Sequence, residues 1–176
     1  VSSDIPMTWH TRERELKGEI MRTDIFIKVL SEVRDPDLMD ADMESAFVLL
    51  RNFEARFSRF REGSELSLLN SSIGPCPVSD DLWGILGRCR EYFNETDGIF
   101  DPTVLPLLER EGYAASYGTD AFGRSEISLS EPKQCSFADV VLDAETRMVT
   151  RPSGCRIDLG GIGKGYVVDR VAELLG

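Results

Sequence analysis

An α+β fold, an antiparallel sheet with helices packed on one face, is what this sequence predicts, and three observations predict it. Residues 14–30, RELKGEIMRTDIFIKVL, contain two segments of period 2. Two stretches with apolar spacings of three and four follow. A second pair of short strands around a polar turn then precedes a last amphipathic segment. The order strand, strand, helix, helix, strand, strand, glycine turn, helix is built from local hairpins, which favour antiparallel pairing over a doubly wound parallel sheet.

Each element has a local reason. Ile25, Ile27 and Val29 alternate with Asp24, Phe26 and Lys28, as a half-buried strand requires. From Asp40 to Ser58 the residues Met43, Ala46, Phe47, Leu50, Phe53 and Phe57 form one apolar helical stripe. A second helix is expected from Ser79, an N-cap followed by Asp80 and Asp81 in the positive first turn, through Leu82, Ile85, Leu86, Cys89 and Phe93 to a stop near Gly98. Residues 104–137 carry little periodicity, which for a connection of that length points to a functional lid or disorder. In ADVVLDAETRMVTR the arms VVL and MVT flank a polar turn. Val167, Val168, Val171, Leu174 and Leu175 make the last segment an amphipathic helix.

Composition narrows the chemistry. The 176 residues fit one domain able to bury its own core, and 41% apolar with 29% charged residues describes an ordinary globular chain. The net charge of −11 argues against nucleic acid as partner, because phosphate neutralisation needs clustered Lys and Arg. No apolar run is long enough to span a bilayer, and the start shows no hydrophobic signal core. The chain is therefore expected to be cytoplasmic, or exported with a leader lying outside it. Cys76, Cys89, Cys135 and Cys155 lack CxxC spacing and read as reduced, partly buried thiols. The single histidine, His10, falls in a segment that reads as a tail, so histidine-based triads, dyads and zinc sites are not expected.

The stretch IDLGGIGKGYVVDR, residues 157–170, holds four glycines within six residues ahead of a helix. Glycine costs about 0.5–1 kcal/mol per residue in chain entropy relative to alanine, so this backbone answers a need, usually a ligand. The run is not a Walker A loop, since Lys164 is followed by Gly165, and it is not GxGxxG, since Gly161, Gly163 and Gly165 give GxGxG. Glycine amides at a helix start still suit a diphosphate, with Lys164 as a point charge. Asp158 would repel phosphate there, so it is expected to face a hydrogen-bond donor or a divalent cation. Equally open is a plain strand-to-helix connection, with Asp158 as cap and Lys164 solvated. Two further clusters are FDPTV at 100–104, an Asp-Pro turn, and FSRFREGSELSLLN at 57–70, a polar turn offering Arg59, Arg61, Ser64, Glu65, Ser67 and Asn70.

Taken in order, RFSRFREGSELSLLN, VSDDLW, ETDGIFDPTVLPLL and RIDLGGIGKGYVVDRVAELL resemble the ApbE family of FAD:protein FMN transferases over residues 15–176. The resemblance implies a T-fold-like antiparallel layer of β2α2β2 order, and use of FAD and Mg2+. FMN would move to a Thr or Ser hydroxyl of an acceptor protein, with AMP released. It implies flavin-nucleotide contacts at Met21, Phe60, Ile99, Phe100, Asp101, Asp158 and Lys164, and a magnesium contact through the backbone carbonyl of Gly161. No catalytic residue is assigned. Arg22 stands where the family's MGT has glycine.

The resemblance also implies a chain of about half the usual length. Residues 1–12 are then expected to be a flexible tail, and 13–176 an ApbE-like domain cut before the part that supplies the remaining magnesium ligands and weakly active by itself. FAD hydrolysis to FMN and AMP, or non-catalytic flavin binding, are the alternative activities, and a ligand-free α+β interaction domain is the blandest reading. A homodimer is one open assembly, and the acceptor is not identified.

Overall fold

The computed structural model describes residues 12–21, 23–113 and 135–176. The tail assigned to the first residues, His10, Arg22 and most of the proposed lid lie outside the described residues. The chain divides into two compact units, residues 1–54 with 167–176 and residues 55–166.

In the first unit, β1 (Arg12–Ile20) and β2 (Thr23–Ser31) pair antiparallel from Arg12–Ser31 to Ile20–Thr23. Exposure alternates along both strands, as the period-2 reading requires. Only Met21 and Arg22 separate the strands, and Met21 adopts φ 52°, a left-handed conformation that suits a tight hairpin turn but that a Cβ disfavours. Glu54 steadies the turn, its Oε1 accepting the Met21 N–H at 2.9 Å. Helix α1 (Pro36–Phe57) begins four residues before the expected start, behind an Asp35 turn whose Oδ1 accepts from the Asp37 N–H. Met39, Met43, Ala46, Leu50 and Phe53 are its buried stripe within this unit. The C-terminal part of α5 (Gly163–Leu175) buries Val167 and Val171, whereas Val168 is exposed rather than part of the apolar face. Arg34 donates to the Leu175 carbonyl at 2.8 Å and pairs with Asp42.

The second unit contains α2 (Glu65–Ser71), α3 (Asp80–Glu95), α4 (Leu105–Leu108) and the first turn of α5. Its sheet has the order β3 (Cys76–Pro77), β5 (Met148–Thr150), β4 (Val141–Asp143), all antiparallel. The described strands thus form two small antiparallel sheets in a mixed helix and sheet fold, where the sequence suggested one layer. A two-residue strand such as β3 leaves no periodic signal, so the sequence alone does not reveal it. The β4–β5 turn matches the expected hairpin; the Thr146 hydroxyl, followed by the amides of Thr146 and Glu145, holds the Asp143 carboxyl below its usual range.

Helix α2 falls where the sequence suggests only a polar turn. Ser64 is its N-cap, with Oγ accepting from the Ser67 N–H at 3.0 Å, and Leu66 and Leu69 are buried beneath it. Burying two leucines is worth about 1.5–3 kcal/mol each, enough to hold seven residues helical inside a domain that would not be helical alone. Helix α3 starts as expected at the Ser79 cap. It ends in a Schellman motif: Gly98 N–H donates to the Phe93 carbonyl and Asp97 N–H to the Asn94 carbonyl, with Asp97 and Gly98 both at positive φ.

The four cysteines are not all reduced thiols. Cys135 and Cys155 form a disulfide with Cα atoms 5.5 Å apart, while Cys76 and Cys89 are free. Spacing of 20 residues gives no sign of such a pair; only the fold brings the two segments together. Among the described residues no helix is long and apolar enough to cross a membrane.

Candidate functional site

The three sequence clusters meet in the second unit. From α2, Asn70 grips the strand-like segment before the glycine run: its Nδ2 donates to the Ile157 carbonyl at 2.8 Å and its Oδ1 accepts the Ile157 N–H at 2.7 Å. After α3, the Asp-Pro turn supplies the next contact, the Pro102 carbonyl accepting the Asp158 N–H at 2.8 Å. Val104 and Arg156 form a parallel bridge beside it, and Arg156 pairs through both terminal nitrogens with Glu109. Arg151 adds a second brace, donating to the carbonyls of Leu69, Asn70, Ser72 and Cys155. Burial, and then the neighbouring Arg156, pull its pKa below the ordinary guanidinium value.

Around Asp158 the geometry is tight. Oδ1 accepts the Gly160 N–H at 2.7 Å, and Oδ2 lies 3.5 Å from Arg59 Nε. A Cβ on Gly160 would sit 3.1 Å from Asp158 Oδ1, closer than most side-chain contacts, so glycine keeps the carboxylate in this turn. A Cβ on Gly161 would lie 3.5 Å from Phe100 Cε2, which places the Phe100 ring edge beside the glycine run. Phe100 also meets Tyr92 edge to face at 6.0 Å. The Schellman turn leaves Ile99 90% exposed.

The expected row of bare amides is corrected in part. Gly160 N–H is taken by Asp158, and the N–H groups of Ile162 and Gly163 by the Leu159 carbonyl. Asp158 closes the turn ahead of α5 through Gly160 and does not cap the helix itself, while Lys164 is exposed, as the plain strand-to-helix connection anticipated. Asp101 has structural work of its own: Oδ1 accepts from the N–H and hydroxyl of buried Thr103, and Oδ2 from the Phe137 N–H at 3.2 Å. Phe60 is 47% exposed with the Arg59 guanidinium 4.4 Å from its ring centroid.

The second unit therefore brings together Phe60 through Arg59, Phe100, Asp101 through Pro102, Asp158 and Gly161, with Ile99 exposed on the turn after α3 and Lys164 exposed at the start of α5. Met21 belongs to the first unit. Sequence reasoning placed Arg59 and Asn70 only in a polar turn and passed over Glu54 and Arg151; nothing in local spacing marks a side chain that acts on backbone far away in the chain.

Comparison with known proteins decides the family. The ApbE family model matches residues 21–176. The chain belongs to the ApbE family. Curated ApbE relatives named FAD:protein FMN transferase occur in Treponema pallidum, 27% identical over 94% of this chain and 46% of that protein, and in Haemophilus influenzae, 25% identical over 94% and 49%. The crystal structure of the ApbE protein from Thermotoga maritima superposes with TM-score 0.76 at 25% identity, covering 93% of this chain and 52% of that one. Pseudomonas stutzeri flavinyl transferase ApbE, at 19% identity and TM-score 0.80 over 96% of this chain and 56% of that one, shares the fold. The chain spans about half the length of these ApbE relatives.

Magnesium can be tested against the donors present. Among the described residues no three His, Cys, Asp or Glu side chains gather as a metal site. Both oxygens of Asp158, three residues from Gly161, already face Gly160 N–H and Arg59. Magnesium needs near-octahedral oxygen ligands, and one carbonyl at Gly161 does not fit that demand.

Proposed function

We propose that the chain forms the flavin-nucleotide-binding part of an FAD:protein FMN transferase. A Thr or Ser hydroxyl oxygen of an acceptor protein would attack the phosphorus of the FMN half of FAD, the bond to the AMP phosphate would break, and AMP would leave. The observation that carries this reading is the convergence of the three family motifs on Asp158, Asn70 holding Ile157 and Pro102 holding Asp158 itself. Exposed Ile99 and half-exposed Phe60 offer apolar surface suited to a ring system, and Phe100 lies against Gly161. Met21, Phe60, Ile99, Phe100, Asp101, Asp158 and Lys164 are the proposed contacts, with 13–176 as the ApbE-like domain and a T-fold-like β2α2β2 arrangement of its elements. Magnesium at the Gly161 carbonyl requires ligands beyond the described residues, so no step above runs through it.

The test is incubation of the full gene product with FAD, Mg2+ and a candidate acceptor, read by intact mass and nucleotide chromatography. A mass gain of one FMN on the acceptor with AMP released supports the proposal. Neither product would sink it. AMP without acceptor would indicate FAD hydrolysis instead. The scarcity of metal ligands among the described residues favours one second reading, a non-catalytic flavin-binding module, which predicts bound FAD and no AMP.

A further inference from the structure

A carboxylate at the mouth of a diphosphate site is an electrostatic problem. Asp158 stands just before the glycines at the start of α5, where a pyrophosphate would lie, and an uncompensated negative charge there opposes binding. The fold puts a cation against it. Arg59 Nε lies 3.5 Å from Asp158 Oδ2, with side-chain exposures of 13% and 14%, so solvent and salt screen the pair far less than they screen a surface pair. The same guanidinium lies 4.4 Å from the Phe60 ring centroid. A single arginine therefore joins the carboxylate of the glycine motif to the exposed aromatic of the first cluster. Its planar head makes both contacts at once, which the compact ammonium of lysine cannot do as well.

We propose that Arg59 is a positioning residue for FAD: it neutralises and orients Asp158 so that the diphosphate is accepted at the glycine turn. This rests on the FAD reading above. Arg59 acts through Asp158, so its importance should depend on the phosphates and should vanish when position 158 carries no charge.

The experiment titrates FAD and riboflavin, which has the same ring system and no phosphate, against the unmodified chain, Arg59→Met, Arg59→Lys, Asp158→Asn and the Arg59→Met/Asp158→Asn pair. Arg59→Met should weaken FAD by about tenfold or more while riboflavin changes by less than about twofold. In the Asp158→Asn background the same Arg59→Met change should cost less than about twofold, and Arg59→Lys should retain most FAD affinity through its charge. Equal loss of FAD and riboflavin, or an Arg59→Met effect undiminished in the Asp158→Asn background, would overturn the proposal while leaving FAD binding intact. Should Arg59→Met alone not fold, Arg59→Gln, which also removes the charge but keeps hydrogen-bonding groups at the site, takes its place in the same comparison of FAD with riboflavin. An unmodified chain that binds no FAD would instead remove the functional reading, and this proposal with it.

Discussion

Asn70 holds the backbone of Ile157 on both sides, Nδ2 donating to its carbonyl and Oδ1 accepting its N–H. The two residues are 87 apart in sequence, and the clamp fixes the segment that delivers Asp158 to the glycine turn. Replacing Asn70 by alanine removes two hydrogen bonds and leaves the backbone of fully buried Ile157 unsatisfied, a loss of about 2–3 kcal/mol. Asn70→Asp keeps the acceptor but sets a carboxylate oxygen against the Ile157 carbonyl where Nδ2 donated, so it should be no more stable than the alanine variant. Urea unfolding midpoints at constant slope measure both; an alanine variant as stable as the parent would show the clamp to be dispensable.

Met21 occupies a conformation that glycine adopts more readily, with φ 52° and its N–H held by Glu54. Met21→Gly should relieve about 1 kcal/mol of backbone strain and raise the melting temperature. If Met21 is a flavin contact, the same change should weaken FAD binding. Greater stability with poorer binding is the expected signature. A variant that melts lower than the parent would mean that the methionine side chain contributes more by packing than its backbone costs.

How far the sequence could be read follows from the range of the interactions. The β1–β2 hairpin, α1 and α3 were legible because each rests on short spacings: alternation at Ile25, Ile27 and Val29, the stripe from Met43 to Phe53, and the Ser79 cap. Helix α2 was not, since its amphipathic signal is only Leu66 and Leu69 within a serine-rich run. The motif residues Asp158 and Phe100 could be named beforehand. That the Asp158 carboxylate would spend one oxygen on Gly160 and aim the other at Arg59 could not, because those partners are set by how the Arg59 turn, the Asp-Pro turn and the glycine run converge.

The disulfide offers a separate check. Cys135 and Cys155 close a loop across 20 residues, and Thr103 Oγ1 donates to the Cys135 carbonyl while Arg151 donates to that of Cys155. In the chain-entropy account such a loop is worth about 3 kcal/mol. The Cys135→Ser/Cys155→Ser variant should lower the urea midpoint correspondingly, and reductant should lower the parent's midpoint but not the variant's. Native alkylation without reductant should label Cys76 and spare buried Cys89. Labelling of all the cysteines under those conditions would contradict the pairing.

Cys89 gives a pH prediction whose sign is fixed. Burial in α3 pushes its thiol up to about 12 from the ordinary value of 9.0. Between those values the unfolded chain has lost a proton that the native state keeps, so the native state binds more protons and unfolding becomes easier as pH rises. The stabilisation is complete below 9.0 and disappears as pH climbs through about 12. One unit above the lower limit the loss should be about 1.4 kcal/mol. Comparing urea unfolding at about pH 8 and about pH 10 for the Cys76→Ser chain and its Cys76→Ser/Cys89→Ala partner isolates this group, because lysines and tyrosines titrate alike in both. The chain retaining Cys89 should lose more stability over that interval; equal losses would mean that the thiolate is accommodated in the folded state and that water reaches Cys89.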